Sequence, residues 1–425
     1  MTTNLDCVDT EPVLFDVARS ILVRAVEPRN SEWISLSEAA GRVAADDVVA
    51  EEDLVPYARS AMDGFAVRSI DTLTASPDSP LGLPLVGKVF TGDRQTALAA
   101  GTVLGISTGS AIPINADAVV PCEQVTARDG LIFLRRPVPA GDCIFPAAED
   151  VRRGEVLLKR GSVVAPGLLG LLAFAGRAEM AVYRRPRVQL LCSGSELVDV
   201  GENPECGQVR NSNAYVFAAL LSECGADARY CGTVTDNTEP LRSALQDARR
   251  EADLLVTTGG ASVGERDLIK NTLEELGTEF EFRSVGMRPG KPFAFGRWQG
   301  LPVCVLPGNP AAAFVCWQQF VRPLVLGMAG QEEIELAAVN ATLVGRAKSK
   351  AGSRYFLFGR LKISSSGFLV EPLANQCSAL VRNPAIANAL IALPEGPVAY
   401  ESGDQVTVQV LDWKSVVQEN PTWRR

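Results

Sequence analysis

Between residues 187 and 327 the sequence alternates β-prone apolar runs with amphipathic helical ones, and this alternation constrains the fold more than any other feature. RVQLLCS, ARYCGTV, ADLLVTT and LPVCVLP predict strands, while AYVFAALLSECG, EPLRSALQDARREA, RDLIKNTLEELG and AAAFVCWQQFVRPLV predict helices between and after them. This strand–helix grammar specifies a doubly wound parallel sheet, because a parallel neighbour is reached only through a crossover packed on a sheet face. Ligands of such sheets gather at the carboxyl ends of the strands, so the loops there carry the functional information.

Outside this stretch the pattern changes. Leu14, Val17, Ala18, Ile21, Leu22 and Ala25 have the spacing of an amphipathic helix over 11–27, and SLSEAAGRVAAD predicts a second, short helix. Over 54–150, turns rich in Gly, Pro, Asp and Ser separate short runs such as LPLVGKVF, AVVPCEQV and LIFLRR, which predicts a small β-rich domain. VVAPGLLGLLAFAG, at 163–176, is too short to span a bilayer and predicts a buried helix. Beyond Gly330, RYFLFGRLKI, GFLVEP and QVTVQVLDW predict a small all-β terminal domain. A chain of 425 residues accommodates roughly two to four such domains.

Composition removes whole classes of chemistry. With no histidine, the chain has no Ser-His-Asp or Cys-His catalysis and no zinc site of the usual kind. The ten cysteines include no C-x-x-C pair and are expected to be free thiols of a reducing cytoplasm. A formal net charge of −9 argues against nucleic acid or an anionic membrane as partner and for a small molecule. The acidic start MTTNLDCVDTEP has no signal-peptide pattern, so a cytoplasmic location is expected.

Four loops fall at strand ends. In DLLVTTGGASVGERD, Gly259 and Gly260 follow a strand, and Ser262 with Glu265 forms an S-x-x-E capping box for the next helix. The loop lacks the Walker lysine and the G-x-G-x-x-G spacing, so capping and anion binding both remain open. LPGNPAAAF sets Pro310 near a helix start, RPGKPFAFG fits a type II turn flanked by Arg288 and Lys291, and LCSGSEL puts Glu196 after a strand. Three acids in these surroundings have plain structural readings: Asp236 as a helix N-cap, Asp267 as a first-turn acid and Asp63 as part of an Asp-Gly turn. Yet Asp236 and Asp267 share one sheet edge with the glycine loop. A carboxylate about 4–5 Å from a phosphate costs roughly 3–4 kcal/mol at an effective dielectric near 20, so loop and acids coexist best around a cation. Oxygen ligands with phosphates point to Mg²⁺.

SAMDGFAV, STGSAIPINADAVVPCE, GQVRNSN, TTGGASVGERD, RPGKPFAFG and VLPGNPAAA, in this order, resemble the molybdopterin molybdenumtransferases, the group that includes bacterial MoeA proteins and the E domain of gephyrin. The resemblance runs from about Leu14 to Leu411. It implies a multidomain α/β plus β fold: a molybdopterin-binding α/β domain over 10–28 and 185–328, a linking domain over 29–53 and 155–184, a β-rich lobe over 54–154 and a C-terminal β-barrel over 329–425. It implies an elongated homodimer, with the active site between the α/β domain of one protomer and the β-rich lobe of the other. The implied reaction inserts molybdate into adenylylated molybdopterin with release of AMP, requires Mg²⁺, and makes the molybdopterin adenylyltransferase a candidate partner. By motif, the implied catalytic acids are Asp63, Glu196, Asp236 and Asp267, the last three also as metal ligands. The implied substrate contacts are Thr108, Gly259, Gly260, Ser262, Lys270, Arg288, Lys291, Pro307 and Pro310.

Four motifs depart from the family pattern, at five positions. Ala58-Arg59 stands where Asp-Asn is usual, Phe145 in CIFPAAED replaces an arginine, Ser195 in CSGSEL replaces an aspartate, and Cys377 replaces the glycine of QGS. These departures leave open a paralogue acting as a dimeric binding or scaffold protein. An enzyme acting on tungstate is a further alternative.

Overall fold

The computed structural model describes residues 11–259 and 268–416. The four predicted strands, Arg187–Ser193, Asp227–Val234, Leu254–Thr258 and Leu301–Leu306, are present and parallel, with Arg187–Ser193 between Asp227–Val234 and Leu254–Thr258. The sheet is mixed, because the hairpin of Thr278–Phe282 and Ala294–Trp298 extends it antiparallel beyond Leu301–Leu306. The three inner parallel strands bury both faces, whereas the edge strand Asp227–Val234 has no fully buried residue. Leu190, Val256 and Cys304 pack with Phe15, Phe217 and Trp317 on one side, while Leu191, Leu255 and Val303 pack with Leu241, Leu245 and Ile269 on the other. That two-sided burial explains the unbroken apolar runs in the sequence.

The predicted helix after the last strand is three segments: Pro310–Cys316, a π-helical turn Trp317–Val321, and Arg322–Met328. Pro323 has no N–H to donate, and the wide turn stands just before it. The N-terminal helix, Phe15–Arg24, lies on the same sheet face. Its buried stripe is Phe15, Ala18, Leu22 and Ala25, whereas Leu14 and Val17 point to solvent.

Two local expectations are corrected. SLSEAAGRVAAD contains only a 3₁₀ turn, Leu36–Glu38, capped by Ser35. Its second half is drawn into bridges of Val43 with Val163 and Ala44 with Val182, and these tertiary pairings override helix propensity. The stretch 163–176 does form a helix, Pro166–Phe174, but Leu172 is its only fully buried residue and Phe174 is 60% exposed.

The β-rich lobe holds a six-stranded sheet ordered Ala118–Pro121, Gly64–Val67, Val103–Ile106, Leu81–Val89, Leu131–Leu134, Val125–Arg128. Gly64 is not a turn residue. A Cβ there would lie 2.1 Å from the carbonyl oxygen of Val120, so only glycine lets these two strands approach. The C-terminal region closes a five-stranded barrel: Arg354–Ser364, Gly367–Pro372, Ala338–Leu343, Gln405–Val410, Ala389–Leu393 and back to Arg354–Ser364. The two-residue strand Met287–Arg288 joins this barrel in parallel, opposite Arg354 and Tyr355. No helix among the described residues is long and apolar enough to cross a membrane.

Candidate active site

The parallel strands end in a tightly bonded ridge. Gly194 and Ser195 leave the first strand, and Asp236 follows the second. The Ser193 hydroxyl donates to Asp236 Oδ1 at 2.8 Å, the Ser195 amide donates to its Oδ2 at 3.2 Å, and the Asp236 amide returns a bond to Ser195 Oγ at 2.9 Å. Asp236 therefore does not cap the following helix; Asn237 occupies that position. Gly259 packs into the same ridge at φ +99°, and a Cβ there would stand 1.8 Å from the Ser193 carbonyl oxygen. Its requirement for glycine is thus steric as well as conformational. Thr258 Oγ1 donates to the Pro307 carbonyl at 3.2 Å, and the Asn213 amide donates to Thr258 Oγ1 and to the Gly308 carbonyl, both at 2.9 Å.

Beside this ridge opens a cleft of about 960 Å³, bounded by the strand-end loops on one side and the barrel on the other. Glu196, Arg288, Lys291, Pro307 and Pro310 all line it, so five of the residues chosen from sequence converge in one place. Glu196 folds its carboxylate over Gly194, where a Cβ would meet both of its oxygens within 3 Å. Arg288 and Lys291 are exposed to the cleft and bring two positive charges to the wall facing Glu196. The Arg288–Pro289 peptide is cis, and Gly290 follows at φ +114°, the positive φ that a type II turn needs at that position.

The amino end of the Pro310–Cys316 helix is already occupied. The amides of Ala311 and Ala312 donate to the Ser378 carbonyl at 3.0 and 3.4 Å. The Ala311 and Ala312 amides are therefore not free to face the cleft. Sequence reasoning had no means of finding Tyr355 and Ser378, which the barrel contributes from far along the chain. Asn213 was within reach, since the RNSN run follows a short strand directly.

Other chosen residues lie apart. Asp63 and Thr108 meet each other on the β-rich lobe, where the Thr108 amide donates to Asp63 Oδ1 at 2.8 Å, but neither lines the cleft. Lys270 is buried with its ammonium donating to the Arg283 carbonyl at 3.2 Å, away from the cleft wall. Gly260, Ser262 and Asp267 lie outside the described residues. All nine described cysteines are free, with Cys192, Cys224, Cys304 and Cys316 buried.

Comparison with known proteins accounts for this arrangement. Residues 13–176 match the MoeA N-terminal region (domain I and II), residues 189–327 a probable molybdopterin binding domain, and residues 340–411 the MoeA C-terminal region (domain IV). The chain is 34% identical over 405 residues to a molybdopterin molybdenumtransferase of Bacillus subtilis, with 94% of each chain covered. The chain belongs to the MoeA family. A molybdopterin molybdenumtransferase of Haemophilus influenzae is 35% identical over 407 residues, covering 93% of this chain and 97% of that one. A molybdopterin biosynthesis MoeA protein from Pyrococcus horikoshii has the same fold, with a TM-score of 0.81 at 29% identity over 95% of this chain and all of that one.

The departures from the MoeA pattern are absorbed locally. Ser195 binds Asp236 from both its amide and its hydroxyl. Cys377 is not among the described residues with positive φ, so a side chain fits there, and its amide donates to Asn375 Oδ1 at 3.0 Å. Gln376 is kept and fastens its loop to the barrel, donating to the carbonyls of Phe358 and Leu373 and accepting from the Phe358 amide.

Proposed function

We propose that this protein is a molybdopterin molybdenumtransferase that inserts molybdate into adenylylated molybdopterin and releases AMP. The observation that carries the reading is the convergence of Arg288, Lys291 and Glu196 in one cleft at the carboxyl ends of the sheet, in a chain of the MoeA family. The two cations hold an anionic substrate, with Lys291 a compact point charge for an oxyanion and Arg288 a fork for a phosphate. The barrel residues Tyr355 and Ser378 close the opposite side and limit water.

No cluster of three metal-ligating side chains assembles among the described residues, but Asp236 and Glu196 offer hard carboxylate oxygens of the kind Mg²⁺ takes, and each Asp236 oxygen already held by one hydrogen bond keeps a free lone pair. When bound, the ion would neutralise pyrophosphate charge and ease departure of AMP. Ser193 and Ser195 fix the Asp236 carboxylate for that task, and Glu196 stands at the cleft edge.

A homodimer with shared sites follows from the separation of Asp63 and Thr108 from their own cleft, since a second copy then supplies them. The exposed Phe174 and Trp33 of the linking region provide apolar surface for such an association.

The direct test is to incubate the protein with adenylylated molybdopterin, Mg²⁺ and molybdate and to follow AMP release. Molybdate-dependent release that collapses in Lys291→Ala and Asp236→Asn is expected. Release that persists unchanged in both variants would refute the assignment.

A further inference from the structure

A second polar cavity, of about 350 Å³, lies at the amino ends of the central strands, at the opposite edge of the sheet from the cleft. Arg187 opens one of those strands and Asp253 immediately precedes another. The chain passes here twice between the linking region and the α/β domain, at 27–30 and at 184–187, and the Arg184 amide donates to the Asn30 carbonyl at 2.9 Å. Arg29, Arg184, Arg185 and Arg187 line the cavity with only Glu27 and Asp253 as counter-charges, in a chain whose formal net charge is −9. Glu251 and Asp227 act on Arg187 from outside the lining.

Asp253 serves two of the four arginines. Its Oδ1 accepts from Arg29 and from Arg187, each at 3.4 Å, and its Oδ2 accepts from the Arg187 amide at 2.9 Å and Nε at 3.3 Å. Burial alone would raise the Asp253 carboxyl, but the hydrogen bonds and charge of Arg187, with the charge of Arg29, hold it below its ordinary range. Arg185 reaches only the neutral Gly225 carbonyl, at 3.3 Å, and the Arg184 guanidinium has no acceptor among the described residues. Arg184 and Arg185 are both exposed and line the cavity, and guanidinium forks match phosphate oxygens in pairs.

We propose that this cavity is a binding site for a polyvalent oxyanion of the phosphate class, with Arg184 and Arg185 as its charge partners. The site is independent of the pterin cleft and stands whether or not the proposed reaction does. An occupant would bridge the two chain passages and brace the linking region against the α/β domain.

The test is isothermal titration of the full chain with inorganic pyrophosphate, with ADP as a separate arm. Saturable binding is expected that persists in Lys291→Ala, whose change lies in the cleft, and weakens at least about tenfold in Arg184→Ala/Arg185→Ala. Arg184→Lys/Arg185→Lys should fall between. Either pyrophosphate or ADP as the tighter ligand supports the site and identifies the source of its phosphates. Binding that vanishes in Lys291→Ala and is unchanged in the arginine variants, or no saturable binding, overturns the proposal.

Discussion

The guanidinium of Arg59 lies over the ring of Phe145, 5.4 Å from its centroid, and the same two residues face each other across an antiparallel ladder. Both positions depart from the usual MoeA pattern, and together they move a cation from one strand to its neighbour. Arg59 also sits in the loop cluster of Asp63 and Thr108, since Ser60 bonds to the backbone of Gly109 and Ser110. Arg59→Ala should therefore raise KM for the anionic substrates by roughly thirtyfold, equivalent to about 2 kcal/mol, with little change in fold stability. Arg59→Ala/Phe145→Arg should recover most of the loss. Steady-state kinetics decide the matter, and an unaltered KM in Arg59→Ala would dismiss the exchange.

Shared sites make a distinct prediction for mixtures. Asp63→Ala and Lys291→Ala should each be nearly inactive alone. Co-refolded in equal amounts, about half of the dimers carry one copy of each, and each of these holds one intact site, so about a quarter of the wild-type rate returns. No recovery on mixing would mean that each chain builds its site alone.

Gly259→Ala should be among the most damaging single changes in the chain. The added Cβ meets the Ser193 carbonyl at 1.8 Å in a backbone conformation that disfavours a side chain, and the ridge holding Asp236 must shift. A loss of more than about 3 kcal/mol is expected, visible as a lower urea midpoint. A midpoint within error of wild type would contradict this packing.

Alkaline pH should weaken the fold through its thiols. Burial raises Cys192 and Cys224 from 9.0 to about 11, and raises Cys304 and Cys316 further. Between these values the native state binds more protons than the unfolded state, so stability is full below pH 9 and falls as pH rises toward 11. The slope is about 1.4 kcal/mol per pH unit for each thiol that remains protonated only when folded. Urea midpoints at pH 8 and pH 10.5 measure it, and Cys192→Ala/Cys224→Ala should flatten the dependence.

The sequence was most informative where a residue's environment is set by its own neighbours in the chain. The three inner parallel strands are legible because two-faced burial leaves unbroken apolar runs, and the cleft residues Glu196, Arg288 and Lys291 are legible because each follows such a strand or flanks a Pro-Gly pair. The antiparallel hairpin was missed because TEFEF and AFGRW are short and lie beside the RPGKP turn, which draws attention to the loop. SLSEAAGRVAAD misled because the bridges of Val43 and Ala44 come from residues over 100 positions away. Tyr355, Ser378 and the engagement of the Pro310 helix end depend on where the barrel docks, which no local pattern encodes.

Arg288 and Tyr355 are rung partners in the ladder that joins the RPGKP loop to the barrel. The barrel is therefore not a passive lid over the cleft, because its sheet is hydrogen-bonded to the arm that leads to Lys291. A tilt of the barrel would carry the cation with it, so that opening the cleft would also withdraw that charge. Entry and grip are then expected to be geared to each other, and a lesion in the barrel far from the cleft should register first as a change in the rate of anion capture.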